Sequence, residues 1–588
     1  MKRFLLLAMA AFSLFTAPTR EALTTQAQAA PALRRIVTLT QPDGTTIQAI
    51  PMGDEHMSYW LDAQTGLYLT QDTLTHYWRV MTDDEATTNY SQWTESRQHA
   101  ARTLHQIKTL GGVTPKNQVK LPMVLVQFSD LSLTEEFGSE LFMDSVMNMM
   151  DFDRVAYTYG GKEYHTGSVR KYWNVQSFGK FDPVFDILGT ITLPQSYSYY
   201  GAEGTTGHDA KVGSLIAEVV DSLIKRGSLD NAAQYDNNND GKLDCLYIIY
   251  AGYGQNESGV ADHIWAKNTT GYVYTLPDGT KTNLMLLSPE LYGCSYKNPL
   301  ILPNIGVFTH EFGHSIGLPD FYGTNSSTAS QCYGMDSWSL MDQGEYSGKG
   351  QIPGCLTTHE RMYLGWLEEP QSVNAECRDT LSPCVSTGDV RIFRNPEVEN
   401  EYITIENHQP ENCWERTWGN SGYYSTHQHR GLLITYVYFD QSLWSANGPN
   451  NTPSFQHCSP ICADGDRYLY SNVTDQATYT EWMANLSSDI YPGKSNITTL
   501  DSTNTLFRWH SGDTIAFNIT AIQTLADSSV VITFGNPKED EQSSIDTLYD
   551  QQQPVRATKR MRGGQIYIVK GGKEYDLMGR PVQTSEQN

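Results

Sequence analysis

Cysteine is missing from the first part of this 588-residue chain: the nine that occur all lie from Cys245 onward. That absence excludes a lipid-anchoring cysteine behind a leader. It also excludes a thiolate reaching a metal site from an N-terminal segment. Long apolar runs are equally scarce. The one from Phe4 to Phe15 is too short to cross a bilayer comfortably, and with no other such run no transmembrane segment is expected. Basic residues are in deficit, 41 Lys and Arg against 66 Asp and Glu, and the formal charge of -25 argues against a nucleic-acid partner. No cysteine pair has the C-x-x-C spacing of a zinc ribbon.

The short apolar run reads instead as part of a leader. Lys2 and Arg3 precede it, and Ala27-Gln28-Ala29 offers a small-x-small cleavage site. Residues 1–29 are therefore expected to be removed on export from a bacterial cell, leaving a secreted or cell-surface protein. Disulfides are permitted there. Cys377/Cys384 and Cys458/Cys462 are close enough in sequence to pair locally, and the odd count leaves a thiol over.

The most informative stretch is His310-Glu311-Phe312-Gly313-His314-Ser315-Ile316-Gly317-Leu318-Pro319-Asp320. Two histidines four apart share one face of a helix, where both imidazoles can reach one ion. Glu311 is placed to take a proton from a water at that ion, the H-E-x-x-H arrangement of zinc-dependent peptide hydrolysis. Gly317 suits the left-handed residue that ends a helix, and Pro319 cannot extend one. The chain should turn after Ile316 and bring Asp320 back towards the histidines. Two imidazoles and one carboxylate leave a coordination position open, as a catalytic zinc site needs.

This stretch resembles the signature of the immune inhibitor A family (M6) of secreted bacterial metalloproteases, which carries Asp where most metzincins have a third His. Trp338-Ser339-Leu340-Met341-Asp342-Gln343-Gly344 is similar to that family's Met-turn. The resemblance implies that Met341 forms an apolar floor under the zinc without ligating it. It extends over roughly residues 120 to 370 and includes Ser177-Phe178-Gly179-Lys180-Phe181 and Tyr250-Ala251-Gly252-Tyr253-Gly254. It departs at Ile264-Trp265-Ala266-Lys267, where relatives often carry Trp-Pro-His, so no histidine role carries over there. What it implies is a zinc endopeptidase with protein or peptide substrates outside the cell and Glu311 as general base. A catalytically silent adhesin or carbohydrate-binding protein on the same fold is the alternative. The retained Glu311 weighs against that alternative, since a silent protein needs no base.

The expected fold class is α+β. Residues 30–110 read as strands and turns and resemble the family's N-terminal pro-segment. Residues 111–370 carry the order of a metzincin-like catalytic domain. A buried strand run begins at Leu121, an amphipathic helix covers residues 208 to 226, a second strand follows at Cys245–Ala251, and the His310 helix comes next. Residues 371–536 show short strands spaced by loops, which suggests a β-sandwich. Residues 537–554 form a polar linker, and 555–588 read as a hairpin about Gly571-Gly572 or a sorting tail for a bacterial secretion system.

Two smaller features complete the reading. Asp236, Asn238, Asp240, Lys242 (through its carbonyl) and Asp244 fit the start of an EF-hand-like calcium loop, with Gly241 at the tight turn and Tyr247 where the closing Glu is usual. Calcium is therefore expected beside zinc. Latency is expected too. With a cysteine switch excluded, Gly53-Asp54-Glu55 is a turn that could present a carboxylate to the zinc, steric cover being the other means.

Overall fold

The computed structural model describes residues 26–28, 30–54, 57–72, 74–82, 84–86, 88, 112–159, 162–203, 209–293, 303–325, 328–373, 376–409, 430–473, 475–535, 558–562, 565–570 and 573–575. Its frame is a six-stranded sheet made of β1 (Gln26–Gln28), β2 (Asn117–Gln127), β3 (Phe181–Thr192), β4 (Leu246–Tyr253), β5 (Lys267–Thr270) and β6 (Met285–Leu291). The strand order is β1-β5-β6-β4-β2-β3. β3, β2, β4 and β6 are parallel. β5 runs antiparallel to β6, and β1 antiparallel to β5.

The central strands are apolar because both their faces are covered. Leu121, Met123 and Leu125 of β2 join the cluster that holds Phe308 and Phe312 of α3 (Ile305–Ser315), together with Tyr172 and Trp173 of α1 (Val169–Gln176). The intervening Val124 and Val126 join the cluster formed by α2 (Val212–Lys225) through Leu215, Ile216, Val219, Val220 and Leu223. Strand alternation thus sorts one strand's side chains between two helical layers. α3 is buried along its whole length, so the motif it carries is shielded from bulk water.

The strands expected near the N-terminus form a five-stranded antiparallel sheet in sequence order: Val37–Thr40, Thr46–Asp54, Met57–Asp62, Tyr68–Gln71 and Trp78–Val80. Ile50, Met52 and Tyr59 pack with Tyr470, Val473 and Trp482. Trp482 lies on a helix, Gln476–Asp489, in a stretch read from sequence as strands and loops. After residue 370 come a five-stranded sheet and a three-stranded sheet. Ile403, Ile405, Leu432 and Ile434 of the first share one apolar cluster with Leu381, Ile519, Val530 and Ile532 of the second. The cluster behind α3 also continues across residue 370, through Val390, Ile392, Leu433 and Val437. Near the C-terminus Gln565–Lys570 and Lys573–Tyr575 pair antiparallel, and Thr558–Arg562, the basic stretch, adds a third strand. Cys377 and Cys384 are not bonded to each other, nor are Cys458 and Cys462; all four are free thiols. No helix among the described residues is long and apolar enough to cross a membrane.

Candidate metal centre

α3 ends where the sequence stops favouring it. Ser315 is its last residue, and Gly317 adopts φ +101°. Gly317 N–H donates to the His314 carbonyl at 3.0 Å, and Leu318 N–H to the Gly313 carbonyl at 3.2 Å. The returning chain places Asp320 Oδ1 3.3 Å from His310 Nε2 and 3.3 Å from His314 Nε2. All three side chains are buried.

The remaining ring atoms explain this orientation. His310 Nδ1 donates to the Leu340 carbonyl at 3.0 Å, and His314 Nδ1 to the Leu318 carbonyl at 2.8 Å. Each ring is thereby fixed with Nε2 turned inward, the second contact that ligating histidines need. Among the described residues, His310 Nε2, His314 Nε2 and Asp320 Oδ1 have no hydrogen-bond partner. Three buried lone-pair atoms facing one point fit a cation. Burial pushes the Asp320 carboxyl up, but the two adjacent imidazoles outweigh it and hold it below its usual range. The same carboxylate overcomes the burial penalty on His314, whose pKa rises to about 9.

Met341 lies against this helix: a Cβ on Gly313 would meet its Sδ at 2.7 Å, so glycine is what lets the methionine approach so closely. Glu311 is buried, and its Oε1 accepts a hydrogen bond from Ala30 N–H at 2.9 Å.

Several side chains that the sequence did not single out support the centre. Asn447 accepts from Asp320 N–H at 2.6 Å and donates from Nδ2 to Asp320 Oδ2 at 2.6 Å. Asn447 lies 127 residues away in Ala446-Asn447-Gly448, at φ +54°, so its sequence context signals only a turn. Glu345 Oε2 stands 3.7 Å from His310 Nδ1. Burial, followed by the carboxylates of Glu311 and Glu257, pushes the Glu345 carboxyl far up. At the departure from the family pattern, Lys267 Nζ pairs with buried Asp209 at 2.7 Å, and Trp265 N–H donates to the same carboxylate.

The other expected site residues lie elsewhere. In the loop from Asp236 to Asp244 the side-chain oxygens are turned to backbone donors. Asp236 accepts from Asp240 N–H at 3.0 Å and Gly241 N–H at 2.8 Å, Asn238 from Asp240 N–H at 2.9 Å, and Asp240 from Lys242 N–H at 3.0 Å. Asp244 is fully buried and accepts from Asn237; burial pushes it up to about 6. Asp54 is a buried strand residue outside the histidine group, and Glu55 lies outside the described residues. Among the described residues one further group brings three ligand-type side chains within 4.8 Å: Cys384, Glu406 and His408.

Two histidines and a glutamate on one buried helix, with a carboxylate returning after its end, make the donor set of an H-E-x-x-H arrangement. Residues 111–366 match the family model of the immune inhibitor A peptidase M6 catalytic domain. The chain is 30% identical over 216 residues to Immune inhibitor A of Bacillus thuringiensis subsp. alesti, a match that covers 33% of this chain and 31% of that protein. It is 27% identical over 280 residues to the Pre-pro-metalloprotease PrtV of Vibrio cholerae serotype O1 (strain M66-2), covering 43% of this chain and 30% of that one. The chain thus spans about a third of the length of the curated relatives it matches.

Proposed function

We propose that the chain is an exported zinc endopeptidase acting on proteins or peptides outside the cell, with Glu311 as its general base. The observation that carries this reading is the convergence of His310 Nε2, His314 Nε2 and Asp320 Oδ1 on one point beside Glu311. His310, His314 and Asp320 would hold the ion, with Met341 as the apolar floor beneath. Zinc, when bound there, would supply Lewis-acid chemistry to the scissile carbonyl and to a water. Glu311 takes the proton of the attacking water and passes it to the leaving nitrogen. Asn447 keeps Asp320 aimed, and the two backbone carbonyls keep the imidazoles in one tautomer. Because α3 is enclosed by apolar side chains, proton transfer takes place with little competing solvent.

The same reading takes residues 1–29 as leader, 30–110 as pro-segment, 111–370 as a metzincin-like catalytic domain, 371–536 as a β-sandwich and 555–588 as a sorting tail. The cluster shared by the two C-terminal sheets supports the sandwich. Calcium at Asp236–Asp244 is part of the proposal and rests on the loop's spacing.

The test is Glu311→Gln. Hydrolysis of a fluorogenic peptide should fall by about 10²–10⁴-fold, while zinc content, measured on the purified protein, stays that of the parent. Near-normal turnover in this variant overturns the assignment.

A further inference from the structure

We infer that Asp489, 151 residues beyond Trp338, is a positioning residue for the metal centre; this rests on the metal-centre reading proposed above. A segment outside the matched residues 111–366 is then part of what holds His310 in place. His310 keeps its ring orientation by donating from Nδ1 to the Leu340 carbonyl at 3.0 Å. Leu340 belongs to no helix or strand, so its carbonyl is only as fixed as the turn that carries it.

That turn needs holding. Asp336 adopts φ +44°, a conformation that a non-glycine residue keeps only where its surroundings over-determine it. From inside the turn, the Asp342 carboxylate accepts from Met335 N–H at 3.0 Å and Asp336 N–H at 3.1 Å. Ser339 Oγ donates to Glu360 Oε1 at 3.2 Å, and Phe321 N–H donates to the Met341 carbonyl at 2.8 Å. From outside, the helix Gln476–Asp489 closes on it. Trp482 Nε1 donates to Asp336 Oδ2 at 3.3 Å. At the last residue of the helix, Asp489 Oδ2 accepts from Trp338 Nε1 at 2.9 Å and from Tyr333 Oη at 2.6 Å. Asp489, Trp338 and Tyr333 are all buried.

Packing alone does not account for this carboxylate. Taking it out of water is costly, and two neutral donors repay less than a cation would. Replacing the three polar tips by apolar ones of similar volume would serve stability as well. What the carboxylate adds is direction. One oxygen fixes two donors of one turn, and a buried polar network of this kind specifies one geometry. The same segment treats the other ligand loop alike. Trp444 Nε1 donates to the Gly317 carbonyl at 3.0 Å, beside the two Asn447 hydrogen bonds to Asp320. The loop that brings in the third ligand and the turn that orients the first are thus both pinned from residues 444–489.

The test compares the zinc-loaded full chain with four variants. Asp489→Ala and Trp338→Phe should each release zinc to an excess of chromogenic chelator about tenfold faster than the parent, the lower end of what loss of a supporting contact costs. Combining the two should add nothing further. Tyr333→Phe leaves the Trp338 contact in place and should release zinc at the parent rate. Asp489→Asn keeps an acceptor oxygen and should recover most of the loss. Hydrogen exchange of the amides from Trp338 to Gly344, followed by mass spectrometry on the metal-free proteins, should quicken in Asp489→Ala and Trp338→Phe but not in Tyr333→Phe. A merely structural Asp489 would lower the melting temperature on substitution and leave zinc release unchanged. That result overturns the proposal, as does a Tyr333→Phe that releases zinc as fast as Trp338→Phe. If Asp489→Ala fails to fold, Trp338→Phe against Tyr333→Phe decides. If no form retains zinc but exchange follows this pattern, the anchoring of the turn stands and the metal-centre reading falls.

Discussion

His310, His314 and Asp320 on one side, and Cys384, Glu406 and His408 on the other, each place three ligand-type atoms within 4.8 Å of one another in a dry interior. In the first group the outer imidazole nitrogens are bonded to backbone carbonyls, and the inner ones converge on a carboxylate oxygen outside hydrogen-bond geometry. In the second group the atoms answer one another. His408 Nε2 meets Glu406 Oε2 at 3.1 Å, and Glu406 Oε1 accepts from Thr358 N–H at 3.0 Å. Burial pushes the Glu406 carboxyl up, but His408, the Thr358 amide and nearby Arg361 hold it below its usual range. Burial pushes the Cys384 thiol the other way, above its usual range, so it keeps its proton. The second group is thus a histidine–carboxylate contact closed on itself, with a neutral thiol beside it. The difference shows that proximity of ligand types does not make a metal site. What makes one is an outer contact that turns lone pairs towards a shared point.

Removing one carboxylate from each group tests this contrast most severely. Asp320→Ala should lower zinc affinity by more than the tenfold to hundredfold that loss of a supporting contact costs, with little change in the helix before Gly317. Glu406→Ala should leave zinc content unchanged. It should instead destabilise the fold by about 3 kcal/mol, because it strands a buried partner. Zinc analysis and denaturant titration of both variants check the pair of outcomes. If Glu406→Ala loses zinc and Asp320→Ala keeps it, the two groups have been read the wrong way round.

A milder change sharpens the same point. Asn447→Ala removes both hydrogen bonds to Asp320 without touching a ligand. Zinc affinity should fall about tenfold to a hundredfold, measured by competition with a chromogenic chelator. An unchanged affinity would mean that the turn after Gly317 holds Asp320 unaided.

The centre was legible where chemistry and local geometry coincide. A four-residue spacing fixes two imidazoles on one helix face, and glycine followed by proline turns the chain back. The amphipathic period of α2 and the apolar run of β2 were legible for the same reason: one pattern dictates one face or one layer. Long-range partners left no such mark. Asn447 sits in a turn-forming sequence, and nothing local says that it reaches Asp320. The helix at Gln476–Asp489 was missed because its apolar periodicity is weak. It is started by an Asp475–Thr478 capping box and carries Trp482, which packs on the distant N-terminal sheet. The local cysteine pairs that the sequence permits are not formed, since sequence closeness does not set Cα separation or direction. Cys377 is exposed on an outer strand, whereas Cys384 is buried beside His408.

The smallest effect is expected at the other motif read as a metal site, and the contrast with α3 says why. The loop from Asp236 to Asp244 already has backbone donors on Asp236, Asn238 and Asp240, so its oxygens are partly satisfied before any ion arrives. Calcium would have to use the lone pairs that remain, with Asp244 a poor contributor because Asn237 occupies both of its oxygens. The gain is therefore modest. At a calcium concentration tenfold above the dissociation constant the linkage term is about 1.4 kcal/mol, which corresponds to a few degrees of melting temperature. Asp236→Ala combined with Asp240→Ala should abolish that rise while leaving peptide hydrolysis in saturating zinc intact, since the loop is remote in sequence from α3 and shares no ligand with it. The measurement is thermal melting with and without millimolar calcium, on parent and double variant. A parent protein that melts at the same temperature in both would identify the loop as a turn closed by its own amides, and the motif spacing as conformational rather than ion-binding.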